Sequence, residues 1–294
     1  MSDQTAGARL RELVAAPEIL VAPGAYDAIT ARVLARAGFG AIYMTGAGTV
    51  NAHLGLPDIA LGTLDEFVEN AARIVEVVDV PVFCDADTGF GNAVNVVRTI
   101  RRFEQVGVAG LHLEDQESPK RCGHLDGKRT VSVGEMTGKI RAACDTRRSD
   151  DFVVIARVDA LAVEGLQAAV DRAGAYVEAG ADVIFTEALT THEQFETFAR
   201  AGVGAPLLAN MTEFGKTPYL TASQFQAAGY AAVIFPMMAF RLMLKSVVDG
   251  AAELARTGTQ EALLDRMATR AELYEIINYP AWDDHERRYV IEAQ

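Results

Sequence analysis

The stretch Ala179-Gly180-Ala181-Asp182-Val183-Ile184-Phe185-Thr186-Glu187 carries the pattern that decides the fold. Gly180 is placed to end a helix in a left-handed conformation and to turn the chain into the next element. The apolar run at 183–187 has the length and the β-branched content of a buried strand. It ends on the carboxylate of Glu187. A helix, a glycine, a short apolar strand and a polar strand end together indicate one β/α unit of a parallel sheet.

The same unit recurs along most of the chain. Glycines also precede strands in Ala37-Gly38, Val106-Gly107 and Ala228-Gly229. The strands are predicted at 19–22, 41–45, 81–84, 110–114, 152–158, 183–187, 207–210 and 231–235. Eight such units predict an α/β fold, a (β/α)8 TIM-type barrel with additional C-terminal helices. The alternative is a doubly wound open sheet, which the absence of a Gly-x-Gly-x-x-Gly fingerprint at the first strand and helix disfavours.

Composition limits the classes of function. The 294 residues carry a formal net charge of −13, and 50% of them are hydrophobic. This composition allows a large core, whereas a nucleic-acid surface needs a basic footprint. No basic and apolar leader is present, and the apolar runs are too short to span a bilayer, so we expect a cytoplasmic protein with no membrane partner. The three cysteines lack regular spacing, which fits a reducing compartment.

Polar residues follow the predicted strands at the end where a barrel carries its catalytic groups. Asp85 and Asp87 stand two residues apart after an apolar run, and hard carboxylate oxygens of this kind suit Mg²⁺ or Mn²⁺. Turn or cap chemistry explains any one such residue, but polar ends on six strands of one rim indicate an active site. These ends carry Thr45 with Gly46, Asp85 with Asp87, Glu114, Arg157 with Asp159, Glu187, and Asn210 with Thr212.

The connection at 116–130 lacks periodicity and has the length that is typical of an active-site lid. It contains Lys120-Arg121-Cys122-Gly123-His124. Positive charge near a thiol favours the thiolate, so we expect Cys122 to have a lowered pKa and to transfer protons near neutral pH.

Further helices follow the eighth strand. The sequence predicts them at 239–255, 260–267 and 272–277, before a tail that contains Pro280 and Trp282. We expect 1–294 to form a single barrel domain with a C-terminal helical extension over about 250–294. Apolar residues such as Leu263 and Leu273 pack either on a partner subunit, in a homo-oligomer that is a dimer or a tetramer, or on the same barrel.

Six motifs make the chain resemble a known family over residues 24–279. They are Asp-Ala-Asp-x-Gly-Phe-Gly at 85–91, His-Leu-Glu-Asp-Gln at 112–116, Lys-Arg-Cys-Gly-His at 120–124, Ala-Leu-Ala-Val-Glu-Gly-Leu at 160–166, Asn-Met-Thr-Glu-Phe-Gly at 210–215 and Thr-Arg-Ala-Glu-Leu-Tyr-Glu at 269–275. With these motifs the chain resembles the isocitrate lyase and phosphoenolpyruvate mutase superfamily, and within it the methylisocitrate lyases. The cysteine loop belongs to the carbon–carbon lyases of that group, and mutase and decarboxylase members generally lack its cysteine.

The resemblance implies a Mg²⁺-dependent lyase acting on a small anionic carboxylate. The implied reaction is a retro-aldol or retro-Claisen type cleavage of a 2-hydroxy di- or tricarboxylate, such as 2-methylisocitrate to pyruvate and succinate in propionate catabolism. Asp85 and Asp87 are implied to hold the metal, with help from Glu114 through water, and Cys122 to protonate the aci-carboxylate left after cleavage. The other implied catalytic residues are Tyr43, Arg157 and His124, and the implied substrate contacts are Thr45, Gly46, Ala47, Gly123, Glu187, Asn210, Thr212, Arg241 and Arg270.

The chain departs from the family pattern at three places. Thr45-Gly46-Ala47-Gly48 stands where methylisocitrate lyases read Ser-Gly-Gly, so a methyl group is added where the backbone meets the substrate carboxylate. Leu125 and Asp126 follow the cysteine loop where a basic residue is common, and Thr186 replaces a proline. We expect Ala47 to trim the carboxylate site, and Met211, Leu125 and Thr186 are the other candidate positions for specificity.

The substrate therefore stays open among 2-methylisocitrate, 2,3-dimethylmalate, isocitrate and other substituted malates. An oxaloacetate decarboxylase or hydrolase, or a phosphoenolpyruvate mutase-like enzyme, are alternatives on the same site. A barrel that binds a ligand without catalysis is an alternative of another class. The intact Asp85, Asp87, Glu114 and Cys122 argue against it, because a binding protein does not need a proton donor.

Overall fold

The computed structural model describes residues 4–121, 123 and 127–290. Within them, parallel strands pair in sequence order, and the eighth pairs with the first to close a barrel. The predicted (β/α)8 barrel is confirmed. Its strands are β1 (Leu20–Ala25), β2 (Ile42–Met44), β3 (Val82–Asp85), β4 (Gly110–Glu114), β5 (Val153–Val158), β6 (Val183–Thr186), β7 (Leu207–Asn210) and β8 (Ala232–Phe235).

Strand β1 differs most from its predicted bounds, because it runs on to Ala25 rather than ending at residue 22. Pro23 and Gly24 are unusual inside a strand, and they hid this continuation in the sequence. A β-carbon on Gly24 would lie 2.1 Å from the backbone oxygen of Pro236, just beyond β8. Only glycine fits there, because β1 and β8 approach closely where they pair to close the barrel.

At least one helix follows every strand. The α-helices are α1 (Ala6–Ala15), α2 (Ala28–Arg36), α3 (Gly46–Thr49), α4 (Leu64–Val75), α5 (Ala93–Gln105), α6 (Val133–Thr146), α7 (Leu161–Glu164), α8 (Leu166–Glu178), α9 (His192–Arg200), α10 (Ala222–Ala227), α11 (Met238–Thr257), α12 (Arg270–Ile276) and α13 (Tyr279–Tyr289). A π-helical turn (Val50–Leu54) and a 3₁₀ turn (Glu261–Arg266) accompany them. None of these described helices has the length and apolar character that a membrane crossing requires.

The barrel has two apolar cores. The outer core lies between the strands and the helices, and the inner core fills the barrel itself with side chains such as Tyr43, Phe83 and Phe185. Leu10 and Val14 of α1 belong to the inner core. Arg11 of the same helix donates to the backbone oxygens around residues 150–152, just before β5. Helix α1 therefore covers the amino-terminal end of the barrel and leaves the carboxyl-terminal end for the site.

The chain forms two compact units, one that ends at Ala239 and one that begins at Phe240. The second contains most of α11, the 3₁₀ turn, α12 and α13. The sequence predicts no element for the tail after residue 277, and the structure shows it to be helical as α13. Pro280 lies in the first turn of α13, where a missing N–H costs no hydrogen bond. Packing of a C-terminal extension over about 250–294 on a partner subunit stays a prediction.

Candidate active site

A pocket lies at the carboxyl-terminal end of the barrel, where the fold predicts it. Most of the predicted site residues line it: Tyr43, Thr45, Ala47, Asp85, Gly123, Arg157, Glu187, Asn210 and Thr212. The rest of its lining consists of Asp58, Lys120, Phe185, Ile234, Pro236 and Met237. The polar ends of five strands, β2, β3, β5, β6 and β7, thus meet in one cavity, and Glu114 at the end of β4 is not in its lining.

The remaining predicted residues have different positions. Asp87 and Glu114 are buried and contact residues of the pocket lining, Asp87 through Lys120 and Glu114 through Arg157. Arg241 and Arg270 belong to the second unit of the chain. Cys122 and His124 lie outside the described residues, as do Leu125 and Asp126, so their predicted roles stay predictions.

The end of β2 lies against Asp85. Tyr43 Oη lies 2.8 Å from His112 Nε2 and 3.4 Å from Asp85 Oδ2. A β-carbon on Gly46 would lie 2.4 Å from the same Asp85 oxygen, so the backbone can pass there only as glycine. Thr45 caps the short helix α3 by accepting from the Gly48 amide at 3.2 Å. Local backbone geometry therefore fixes the place of the Asp85 carboxylate.

Arg157 is one of two buried cations that line the pocket, together with Lys120. Its Nε and Nη2 donate to the two carboxylate oxygens of Asp159 at 3.0 and 3.2 Å. Its Nη1 lies 3.1 Å from Glu114 Oε2, and its Nε lies 3.8 Å from Glu187 Oε2. The guanidinium stacks 5.3 Å from the ring centre of Phe185. Carboxylates on several sides and an aromatic face hold the guanidinium in one orientation at the edge of the pocket.

The buried carboxyl groups differ in their tendency to ionise. Burial alone disfavours charge on Asp85, but His112, Lys120 and Arg157 together hold its pKa below the usual value. Burial raises the pKa of Asp87 to about 7, against the opposing effect of Lys120. Burial also raises the pKa of Glu114 well above its usual value, although Arg157 opposes this. The site thus holds one stable anion and two carboxyl groups that need further positive charge to ionise fully.

The donor set fits a hard divalent cation. Glu114 Oε1 is buried and accepts no hydrogen bond within the described chain, whereas Glu114 Oε2 faces Arg157 at 3.1 Å and Asp87 Oδ1 faces Lys120 at 2.9 Å. Oxygens of this kind are the ligands that Mg²⁺ prefers, and buried oxygens without donors are costly unless a cation satisfies them. Within 4–121, 123 and 127–290, no three His, Cys, Asp or Glu side chains form a ready metal cage. Mg²⁺ usually keeps several waters and takes only one or two carboxylates from the protein.

Lys120 and Asp58 are site residues that the sequence analysis missed. The side chain of Lys120 is buried, and its Nζ lies 2.5 Å from Asp58 Oδ1 and 2.9 Å from Asp87 Oδ1. The sequence identifies Lys120 only as a basic residue near Cys122. In the structure its ammonium group forms ion pairs with Asp58 and Asp87. Asp58 follows no strand and had no signal of its own, because it lies in an irregular segment before α4.

Two of the candidate positions for specificity do not line the pocket. Thr186 Oγ1 lies 2.9 Å from Tyr230 Oη, and Met211 packs in the outer core. Both side chains are therefore on the helix side of the barrel wall. Ala47 does line the pocket, so it is the one departure among the described residues that can contact a substrate, and Leu125 stays an untested candidate.

Comparisons with known proteins identify the family of the chain. Residues 10–255 match the family described as phosphoenolpyruvate phosphomutase. A 2-methylisocitrate lyase of Aeropyrum pernix is 50% identical over 282 residues, which cover 96% of this chain and 89% of that protein. A structure of oxaloacetate acetylhydrolase in complex with the inhibitor 3,3-difluorooxalacetate has a TM-score of 0.93 at 35% identity and covers 99% of both chains.

A structure of 2,3-dimethylmalate lyase, described as a member of the PEP mutase/isocitrate lyase superfamily, is similarly close. Its TM-score is 0.92 at 37% identity, with 99% of this chain and 98% of that chain covered. The family match at residues 10–255 spans all eight strands of the barrel. The chain therefore belongs to the phosphoenolpyruvate mutase and isocitrate lyase superfamily, as an enzyme of the carbon–carbon lyase type.

Proposed function

We propose that the protein is a Mg²⁺-dependent lyase that cleaves 2-methylisocitrate, a 2-hydroxy tricarboxylate, to pyruvate and succinate. The observation that carries the proposal is the cluster of buried carboxyl groups around Arg157 and Lys120, in which Glu114 Oε1 accepts no hydrogen bond within the described chain. One side of such a pocket binds a substrate carboxylate, and the other attracts a divalent cation. The similarity to 2-methylisocitrate lyase over nearly the whole chain supports the same reaction.

The residues of the chain have separate tasks in this proposal. The guanidinium of Arg157 binds and orients the carboxylate of the forming 2-oxo acid, and it offsets the negative charge that develops there. Asp85 and Asp87 would hold Mg²⁺, with Glu114 assisting through water. A bound Mg²⁺ supplies Lewis acidity to the oxygens of the hydroxyl and carboxylate groups.

Two protons move in the proposed cleavage: one leaves the 2-hydroxyl group, for which the pocket carboxylate of Glu187 is the proposed acceptor, and one reaches the second product from the cysteine loop. Cys122 is the proposed donor that protonates the carbanion left on the second product, with His124 beside it in sequence. Burial and the Asp85 charge raise the pKa of Tyr43 well above its usual value, so its hydroxyl stays protonated near Asp85. Burial lowers the pKa of His112 to about 4, so the imidazole next to Tyr43 is neutral at neutral pH.

A second candidate substrate is 2,3-dimethylmalate. Ala47 brings a methyl group to a pocket whose lining also includes the apolar side chains of Phe185, Ile234 and Met237. A smaller, methylated malate suits such a lining. The cytoplasmic location and the homo-oligomer expected from the sequence belong to the same proposal.

The test is detection of products by mass after incubation with a panel of substrates. The panel contains 2-methylisocitrate, 2,3-dimethylmalate, isocitrate and oxaloacetate, each with Mg²⁺ and with excess chelator. We expect pyruvate and succinate from 2-methylisocitrate, loss of turnover in chelator, and recovery when Mg²⁺ is restored. Asp87→Ala should lose turnover and keep a folded circular-dichroism spectrum. Full turnover in excess chelator would show that the metal assignment is wrong.

Ala47→Gly tests what sets the substrate preference. Removing one methyl group from a fitted pocket changes discrimination by roughly tenfold or more, without altering the reaction type. We expect the ratio of kcat/KM for 2-methylisocitrate over 2,3-dimethylmalate to rise by about tenfold. Steady-state kinetics with both substrates measures this ratio. An unchanged ratio would place the control of specificity elsewhere in the pocket.

A further inference from the structure

The carboxylate of Asp159 accepts hydrogen bonds from a barrel strand and from the 116–130 connection. The residue is fully buried. Besides the two bonds from Arg157, its Oδ1 accepts from Lys128 Nζ at 3.0 Å and from Gln116 Nε2 at 3.1 Å. Its backbone amide donates to Asp115 Oδ1 at 2.8 Å, which fixes the strand end that carries it. Arg157 and two residues of the 116–130 connection, Gln116 and Lys128, thus share the carboxylate of Asp159.

Gln116 and Lys128 reach the loop on opposite sides of residue 122. The Gln116 side chain accepts from the Arg121 amide at 3.0 Å and donates to the Arg121 carbonyl oxygen at 2.9 Å. Lys128 Nζ donates to the carbonyl oxygen of Gly123 at 2.5 Å. Both side chains are buried. The backbone immediately before and immediately after residue 122 is therefore bonded to side chains that meet on Asp159.

The loop also lies against the pocket at this point. A β-carbon on Gly123 would lie 2.4 Å from Glu187 Oε1 and 2.6 Å from Arg157 Nη2. The Asp159 carboxylate acts on both groups. It accepts from Arg157 directly, and it holds the Gly123 backbone through Lys128. A buried charged acceptor with several donors holds them more firmly than separate surface contacts would.

We propose that Asp159, Lys128 and Gln116 form a loop clamp, a set of positioning residues that fixes the Arg121 and Gly123 backbone against the Arg157 guanidinium. The clamp touches neither substrate nor metal; it acts through the backbone that it holds. The effect of the clamp on catalysis rests on the proposed function. Its effect on the loop backbone is independent of that function.

Hydrogen exchange without substrate tests the clamp directly. The variants are Gln116→Leu, which keeps all charges, and Lys128→Met, which removes the donor to Gly123. The matched control is Arg147→Met, because Arg147 likewise donates to a backbone oxygen, that of Phe152, and to a carboxylate, that of Asp182. It does so at the opposite end of β5. We expect the peptide 117–131 to exchange about tenfold faster or more in both clamp variants, and not in the control.

Activity supplies the second measurement. In both clamp variants we expect kcat/KM to fall by about tenfold or more. This fall should exceed any fall in Arg147→Met, when variants with the same loss of melting temperature are compared. Loop exchange equal to that of the parent in both variants would overturn the clamp. An equal acceleration in Arg147→Met would overturn it as well, because the effect would then be general destabilisation. Faster loop exchange in an enzyme that cleaves none of the panel would support the clamp and refute the proposed substrate.

Discussion

Arg157→Lys is expected to lower kcat/KM by about 100- to 1000-fold, although it keeps the positive charge. Lysine offers a single ammonium, which cannot reach both oxygens of Asp159 and also Glu114 as the guanidinium fork does. A substrate carboxylate would lose its planar, oriented partner, and the stacking on Phe185 would be lost as well. Steady-state kinetics with the substrate identified by the panel measures the effect.

Comparing Arg157→Met with Arg157→Lys separates the contribution of Arg157 to stability from its contribution to substrate binding. Arg157→Met leaves the buried Glu114, Asp159 and Glu187 without their shared cation. Removing one partner of a buried ion pair costs about 3 to 5 kcal/mol of unfolding free energy. Arg157→Lys should retain most of that stability in thermal or denaturant unfolding. If Arg157→Lys keeps kcat/KM within threefold of the parent, the oriented guanidinium is not what binds the substrate.

Gly123→Ala is expected to lower kcat/KM by about 100-fold with little change in melting temperature. The added β-carbon would overlap Glu187 and the Arg157 guanidinium, so the loop must lift or both side chains must move. A displacement of about 1 Å near reacting groups costs on the order of 100-fold in rate. The loss of stability should be small, because the loop can relax away from the barrel without opening either core.

Gly138→Ala is the matched control for this substitution. Gly138 lies inside α6, where an added β-carbon meets no atom within 4 Å. Alanine is favoured over glycine in a helix by about 1 kcal/mol, so this variant should unfold at an equal or higher temperature and keep full activity. Equal activities for the two variants would mean that the loop need not lie against Glu187 during turnover.

Much of the fold could be predicted because its signals are local. Each strand is a short apolar run, and several follow a glycine that ends a helix, as Gly180 does before β6. The site residues at the strand ends followed from the barrel rule, since carboxyl ends of parallel strands share one rim. The placement of Thr186 could also have been predicted. Successive strand residues face opposite sides, so a pocket-facing Phe185 requires Thr186 to face the helices.

The missed contacts are non-local. Asp58 meets Lys120 across 62 positions of sequence, and Lys128 meets Asp159 across 31. Neither pair has a spacing or periodicity that marks it, because an irregular connection brings the partners together. Asp159 had the ordinary pattern of a turn residue after a strand. Only the packed barrel shows that a single carboxylate there serves Arg157, Lys128 and Gln116 together.

The division into two cores has an evolutionary consequence. Outer-core residues such as Ile100 and Phe198 contact helices and strand backs, so they can drift under selection for stability alone. Tyr43, Phe185 and Ile234 belong to the inner core and also line the pocket. A mutation that reshapes the pocket floor therefore also repacks the barrel interior. New substrate preferences in this scaffold should arise more readily on the rim, at positions such as Ala47, than through its floor.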